Sequence, residues 1–325
     1  MRKPAALLLL SLTAAAANAA APTHGTVPRT ADGVPDLQGI WTGGTLTPLE
    51  RPPALANQPF IADADLAEHQ RHLAETFWAA GHKAGEVGRD NDAFIDELHV
   101  LPNGQTALVV NPPDGRVPLR ADVESRKDRN LTSLDSYATM SQWDRCITRE
   151  PTPLLPVIYN NAYQIVQTPT FIMIVAEMIH DARIIPLDGR PHLDARIRSW
   201  GGDSRGHWDG ATLVVDTTNF NDQGWIATGL NAGRIRGVPH SKDLHIVERF
   251  TRIDAQTLDY SMTIDDPQIY TAPWTVAFPL QRDDGYRIFE YACHEGNHAI
   301  ESMLGGARAQ EQLMDTAAAK QRDSK

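Results

Sequence analysis

Near its C-terminus the chain carries His294-Glu295-Gly296-Asn297-His298, which has the H-E-x-x-H spacing of zinc proteases. That chemistry needs a helix, so that histidines four residues apart face one metal ion while the glutamate activates water. The preceding residues 288–291 have the composition of a strand, and Gly296 and Asn297 are poor helix formers. A third ligand at the metzincin spacing is missing, since positions 301 and 304 hold Glu and Leu. We therefore predict neither a zinc-protease site nor a resident metal.

An extended conformation of residues 286–295 gives the same region a different chemistry. Alternation then places Glu290 and His294 on one face of a strand. A carboxylate that orients an imidazole can act with it as a general acid–base pair. The alternative is a solvent-exposed pair, or a histidine bonded to a backbone carbonyl, and alternation alone leaves both open.

Glu177 and His180 form a second candidate pair. The residues before Glu177 are strongly apolar, which predicts that its carboxylate lies near a barrel interior or rim, where it is costly unless paired. Arg183 follows the turn predicted at residues 180–181 and is available as a partner. In one interpretation burial favours the protonated acid and suits Glu177 to proton transfer. In the other, a buried Glu177–Arg183 ion pair pins the hairpin.

The candidate residues divide by role into two sets. The predicted catalytic residues are Glu177, His180, Glu290 and His294. The predicted substrate-binding residues are Arg145, Tyr159, Tyr163 and Arg183. For Arg145 the functional interpretation is contact with an anionic group, and the alternative is a buried structural arginine.

Signatures of cofactor chemistry are missing from the sequence. The acids and histidines of the candidate set, with His207, are metal-ligating residue types, but their spacing defines no site. No Gly-rich phosphate loop follows a strand, and no dinucleotide-binding or Gly-x-Ser-x-Gly pattern occurs. We predict no cofactor.

Alternation also predicts the strands that must carry these side chains. Residues 171–179 are almost continuously apolar, as in a strand covered on both faces. Residues 212–217, 258–264 and 274–280 alternate with a period of two, which is typical of half-buried antiparallel strands. Many short strands separated by Asp-Gly turns predict a mainly β fold, either an antiparallel lipocalin-like barrel or, as the alternative, a β-sandwich.

Four segments follow from this pattern. They are a signal peptide (1–21), an N-terminal arm with a helix and a hairpin (22–143), an antiparallel β-barrel (144–300) and a short C-terminal helix or disordered tail (301–325). Within the arm, residues 63–80 predict a helix with Asp63 or Asp65 at its start, and residues 98–110 predict the hairpin.

The pattern G-x-W-x-G-x-T-L occurs twice, at residues 39–46 and 206–213. This repeat indicates either a duplicated segment or the same type of turn occurring independently at two places. A Gly-x-Trp that begins a strand is similar to the start of lipocalin-like barrels.

Charge and the N-terminus predict where the protein works. The formal net charge is −11, and an acidic surface repels phosphate backbones and anionic lipids, so we expect no nucleic-acid partner and no stable membrane insertion. Arg2 and Lys3 precede an apolar run and small-x-small cleavage sites, which is the order of a secretory signal peptide. The predicted location is the periplasm or the exterior, and the oligomeric state is left open.

The chain has two cysteines, Cys146 and Cys293. In an oxidising compartment such a pair most often forms a disulfide, and we predict one here. The alternatives are two buried thiols or one thiol at a site.

A resemblance to known proteins rests on six segments, which are Pro35–Trp41, Pro112–Arg116, Asp144–Cys146, Ile158–Gln167, Glu177–His192 and Tyr291–Asn297. These segments resemble those of a large family of exported bacterial proteins. The resemblance implies export and a common fold, and it implies no particular activity. His298 departs from the family pattern, where Tyr is expected, and His207 departs where Arg is common.

Two hypotheses about function follow. The first is an exported, cofactor-independent enzyme, a lyase, isomerase or hydrolase, that acts by His/Glu acid–base chemistry on a small, partly apolar molecule in a barrel pocket. The second is a non-catalytic carrier or sensor of the lipocalin kind that binds such a molecule in the same pocket. A structural envelope protein is a further alternative.

Overall fold

The structure is a computed structural model that describes residues 26–79, 98–149 and 154–323. The predicted signal peptide, residues 1–21, lies outside the described residues. Three α-helices are present in the described part, α1 (Leu66–Ala79), α2 (Val123–Thr132) and α3 (Ala299–Asp323). The strands are β1 (Gly39–Thr42), β2 (Val109–Asn111), β3 (Ala162–Gln167), β4 (Phe171–Ala176), β5 (Ala182–Pro186), β6 (Asp203–Asp209), β7 (Thr212–Thr218), β8 (His245–Arg252), β9 (Thr257–Asp265) and β10 (Trp274–Arg282).

The strands form one antiparallel sheet that curls into a nearly closed barrel, so the predicted barrel is confirmed. Neighbouring strands follow the order β5-β4-β3-β1-β10-β9-β8-β7-β6, and the short β2 adds a second pairing to β10. Strands β3 to β5 and β6 to β10 are two meanders of consecutive hairpins. The N-terminal β1 joins them, since it pairs with β3 on one side and β10 on the other.

The inward-facing residues fill the barrel. Every second residue of β9 and β10 is buried, as the period of two predicts for strands with one face on a core. Aromatic rings occupy much of the interior, and they pack at centroid distances of 5.0 Å between Phe250 and Tyr260 and 5.2 Å between Tyr260 and Phe278. Trp41 from β1 is completely buried and donates its indole N–H to the Leu37 carbonyl at 2.9 Å. This part of the interior is therefore a packed core.

The barrel is incomplete at one position, the seam between β5 and β6, where no hydrogen-bonded ladder joins the two strands. Side chains close part of this seam. Gly206 of β6 faces β5 so closely that an added Cβ would lie 2.8 Å from Ile185 and 2.7 Å from Leu187. A residue without a side chain at this position lets apolar groups of β5 pack against the β6 backbone.

Two predicted elements differ from the structure. Residues 98–110 form no hairpin, because their partners are distant: His99 bridges to Thr45, Gln105 bridges to Phe60, and β2 pairs with β10. Residues 286–295 form no strand and cross the barrel as an extended loop and turn. The sheet also crosses the predicted domain boundary, since β1 and β2 come from the segment assigned to the arm. The predicted helix at residues 63–80 is present as α1 with a short 3₁₀ turn before it.

Candidate functional site

Most of the residues with a strained backbone lie at one end of the barrel. Among the described residues, five non-glycine residues have a positive φ, and four of them lie in loops at this end. They are Cys146 (52°), Asn160 (54°), Ile179 (64°) and His180 (45°). A positive φ is especially unfavourable for the β-branched Ile179, and such residues persist only where the surrounding structure holds them. Clustered strain of this kind is typical of functional sites and tight structural junctions.

Glu177 lies at this end, directly after β4, and its side chain is completely buried. Its carboxylate accepts hydrogen bonds from the Asn160 amide, from the Tyr286 hydroxyl at 3.0 Å and from the Phe289 backbone N–H at 3.2 Å. Three donors stabilise a buried carboxylate without a cation. The alternative in which Glu177 pairs with Arg183 does not hold, because Arg183 bonds to a different carboxylate, that of Glu248.

Residues 283–298, which we call the strap, cross this end of the barrel and are held by side chains from several loops. Glu177 binds two groups of the strap, and the His180 Nδ1 lies 2.9 Å from the Tyr291 carbonyl oxygen. Since a carbonyl only accepts, Nδ1 carries the proton in this contact, and in the neutral ring Nε2 is then the acceptor. The ring of Tyr159 stacks on that of Tyr291 at 6.4 Å.

The predicted disulfide between Cys146 and Cys293 is present, with an S–S distance of 2.04 Å, and it anchors the strap to the loop before β3. The Asn297 amide donates to the Cys146 sulfur at 2.9 Å. Glu177, His180, Tyr159 and the two cysteines thus lie in one region, and their contacts join the strap to the barrel.

Glu290 and His294 do not join this cluster. Both side chains are exposed on the strap, and neither bonds to the Glu177 carboxylate. The His294–His298 motif begins in a turn, and α3 starts only at Ala299, so the two histidines do not lie on one helix. Among the described residues, no three His, Cys, Asp or Glu side chains lie close enough together to hold a metal ion.

Arg183 points from β5 into the barrel, where it forms a bidentate ion pair with Glu248 of β8. The two nitrogen–oxygen distances are 2.6 Å and 3.0 Å, and the Tyr260 hydroxyl donates to the same carboxylate at 2.9 Å. Burial acts to lower the pKa of Arg183, but the charge and hydrogen bonds of Glu248 outweigh it and leave that pKa raised. Burial, and then the Glu248 charge, raise the pKa of Tyr260 well above its ordinary value. The network is therefore a charged pair with a neutral phenol.

A cleft of about 350 Å³ opens at the seam, and Arg183 of this network belongs to its lining. Its walls come from β5, from β6, from the loop before β3 and from the connection between β5 and β6. Trp200, Ile147 and Ile184 supply apolar surface, while Asp181 accepts a hydrogen bond from the Thr148 hydroxyl at 2.9 Å. We call this the seam cleft. It has the size and mixed polarity of a site for a small molecule.

Two predicted substrate-binding residues occupy different positions relative to the seam cleft. The Arg145 guanidinium lies over the ring of Trp200, 5.3 Å from its centroid, and Trp200 is part of the cleft wall. Tyr163 is buried inside the barrel on β3, and its hydroxyl accepts a hydrogen bond from Arg149 at 3.3 Å. Of the four residues in that predicted set, Arg145 and Arg183 therefore adjoin the cleft, while Tyr163 and Tyr159 pack elsewhere.

Two residues of the site were missed in the sequence. Glu248 had a visible signal, since it alternates with Ile246 and Phe250 on the buried face of its strand, where an acid is unusual. Trp200 had none, because it lies in a connection without periodicity and reaches the cleft only through the fold. A scan against protein-family models and searches of curated proteins and of solved structures found no match to this chain.

Proposed function

We propose that this chain is an exported protein that binds a small organic molecule in the seam cleft, as a carrier or sensor. The observation that carries the proposal is the opening of the sheet between β5 and β6 into a cleft of about 350 Å³, which has apolar walls and convergent polar groups. A barrel usually hides its strand edges, so an open seam flanked by loops is a natural place for a ligand.

The packing of the site favours binding over the acid–base hypothesis. Glu177 is enclosed by three donors, while Glu290 and His294 face solvent, so the four predicted catalytic side chains share no cavity. The strap contacts of Glu177 and His180 are those of structural tethers. The polar groups that do face the seam cleft, Thr148, Asp181 and Arg183, already have partners and are suited to orienting a ligand.

Export is supported by independent features. The N-terminal sequence has the order of a signal peptide, and the disulfide between Cys146 and Cys293 is the kind that persists in oxidising compartments. Within the described residues, no helix is both long and apolar enough to cross a bilayer.

A cleft-filling substitution tests the proposal. Ala182 is exposed on β5 and lines the seam cleft, so Ala182→Trp should block it and leave the barrel interior unchanged. Ala255, an exposed residue in the turn between β8 and β9, provides the matched control Ala255→Trp. A fragment panel of organic acids, amines and neutral aromatics is screened by ligand-observed NMR against all three proteins. We expect fragments that bind wild type and Ala255→Trp and are lost with Ala182→Trp; no bound fragment, or none that Ala182→Trp affects, would overturn the proposal.

One observation favours the enzyme as a second candidate. The Tyr291 carbonyl holds the proton of the neutral His180 ring on Nδ1, which leaves Nε2 to act as a general base. The side chain of His180 is exposed, and its backbone is strained, as is common for residues at functional sites. Turnover of p-nitrophenyl esters by wild type that disappears with His180→Gln and persists with His298→Gln would support this alternative. Equal rates in the two variants would remove it.

A further inference from the structure

Arg145 lies beside the seam cleft between two aromatic rings. Its guanidinium carbon is 5.5 Å from the ring centroid of Tyr137 and 5.3 Å from that of Trp200. Contacts of this length with ring faces are cation–π interactions, and arginine makes them more often than lysine. Trp200 is also a wall of the cleft, so the charged group of Arg145 adjoins the lining of the proposed ligand site through this ring.

The Arg145 guanidinium has no carboxylate partner. Within the described ranges it makes no hydrogen bond or ion pair, whereas Arg183 is bound by Glu248, Arg234 by Glu50 and Arg249 by Asp209. Several other described arginines without an acid, such as Arg51, Arg120 and Arg198, bond instead to carbonyl or hydroxyl oxygens. The guanidinium carbon lies over both rings, and ring carbons accept no N–H hydrogen bond in the guanidinium plane. The planar edge of a guanidinium is the geometry that recognises a carboxylate in two parallel hydrogen bonds.

The surrounding backbone holds this arginine in position. The Arg145 N–H donates to the Ser141 carbonyl at 3.2 Å, and the next residue is Cys146, which has a positive φ and is fixed by the disulfide. Tyr137 belongs to a short 3₁₀ turn whose first cap, Ser136, accepts a hydrogen bond from the Ala138 N–H. A cation that is already placed loses little side-chain entropy when an anion binds.

The cleft itself limits what the anion can be. Its apolar walls, Ile147, Ile184 and Trp200, suit a hydrophobic or aromatic body. Asp181 also lines the cleft, and its carboxylate would repel a second negative charge inside it. We propose that the ligand is an organic monocarboxylate with an apolar or aromatic body, whose carboxylate binds the edge of Arg145 while its body packs in the seam cleft against Trp200. This inference rests on the proposed function and names the ligand class for the same site.

The test uses phenylacetate as the probe and phenylacetamide as its neutral counterpart. The variant Arg145→Met keeps the apolar stem and removes the charge, Arg145→Lys keeps the charge without the fork, and Arg249→Met removes an exposed arginine on another face. Binding is measured by NMR titration at millimolar concentration, after circular dichroism has shown that each variant is folded. We expect phenylacetate to bind at least tenfold more tightly than phenylacetamide. Arg145→Met should weaken it by roughly tenfold to a hundredfold, from the usual strength of a hydrogen bond to a charged group, with a smaller loss for Arg145→Lys.

The outcomes separate this inference from the proposed function. If Ala182→Trp abolishes phenylacetate binding and Arg145→Met does not change it, the cleft remains the site and the role of Arg145 is refuted. If fragments bind in the cleft but phenylacetate does not, or binds no better than phenylacetamide, the monocarboxylate assignment is overturned. If Ala182→Trp leaves all binding unchanged, the proposed function itself fails.

Discussion

The substitution Glu248→Gln should destabilise the fold strongly, because it leaves a charged guanidinium inside the barrel without a counter-charge. Glu248 is completely buried, and among the described residues its carboxylate accepts hydrogen bonds from Arg183, at 2.6 Å and 3.0 Å, and from Tyr260, at 2.9 Å. Glutamine keeps the shape but replaces one acceptor oxygen with an amide that donates. The new amide N–H would then face a donor of Arg183 or Tyr260 and could not bond to it.

The size of the effect follows from this burial. Removing one partner of a buried ion pair costs about 3–5 kcal/mol, mostly because the remaining charge is left unpaired. In a domain of this size one kcal/mol shifts Tm by about 2–4 °C, so we expect Tm to fall by roughly 6–20 °C. The double variant Arg183→Met/Glu248→Leu removes both charges, and its main remaining cost is the Tyr260 hydroxyl, about 1–3 kcal/mol for an unsatisfied buried group. The double variant should therefore be more stable than the single one.

Urea unfolding followed by tryptophan fluorescence gives the free energy of each variant. The matched control is Arg249→Met, which breaks the exposed pair with Asp209, whose side chains are 46% and 63% exposed, and which should cost less than about 1 kcal/mol. The reasoning is refuted if Glu248→Gln stays within about 1 kcal/mol of wild type, or if the double variant is less stable than the single one.

Three further predictions follow from the strap and the core. Replacing Cys146 and Cys293 with serine should lower the free energy of unfolding by roughly 4 kcal/mol, because the disulfide closes a separation of 147 residues; a reductant should destabilise wild type and leave this variant unchanged. Glu177→Gln should weaken the hold on the strap by about 1–3 kcal/mol and speed hydrogen exchange at the Phe289 amide, and unchanged exchange there would contradict the tether. Burial lowers the pKa of His240 below its ordinary value of 6.5, so its contribution to stability is present above pH 6.5 and is lost as the pH falls towards the folded pKa. His240→Gln should therefore reduce the loss in urea midpoint between about pH 7.5 and pH 5.5, and an identical pH dependence in both proteins would show that this histidine contributes nothing.

The strands were predictable where one face is buried and the other exposed. Residues 258–264 and 274–280 alternate, and they lie in β9 and β10 as expected. The choice between barrel and sandwich was not predictable, because it depends on which strands pair across the chain. The pairing of β1 with β3 and β10 joins residues far apart in sequence, and alternation carries no information on it.

The failed strand at residues 286–295 has a physical explanation. A hairpin with the preceding strand would need a free edge of β10, and β10 is already paired with β1 and β9. Because the segment is not in the sheet, an apolar residue that a strand would bury is left in solvent: Phe289 is 65% exposed. Hydrogen bonds to Glu177 and the disulfide at Cys293 hold the segment in the absence of a ladder.

The candidate site was predictable as a region and not as a set of contacts. Chain proximity favoured Glu177 as the partner of Arg183, but the chain leaves β4 at Glu177 and turns through residues 178–180, which interrupts the alternation. Arg183 instead follows the inward direction of β5 and meets Glu248 across the interior. A partner at a sequence separation of 65 residues could be found only from the fold.

The position of β1 has a consequence for how the molecule is made. The register places Trp41 opposite Arg282, so β1 has both edges covered only after β10, the last of the described strands, has been made. Contacts of such long range are entropically expensive and slow to form, so a ribosome-bound chain lacking its final third cannot complete the sheet. The topology therefore keeps a nascent chain open until β10 has been made, and an open chain is what a narrow translocation channel would require if the proposed export is correct.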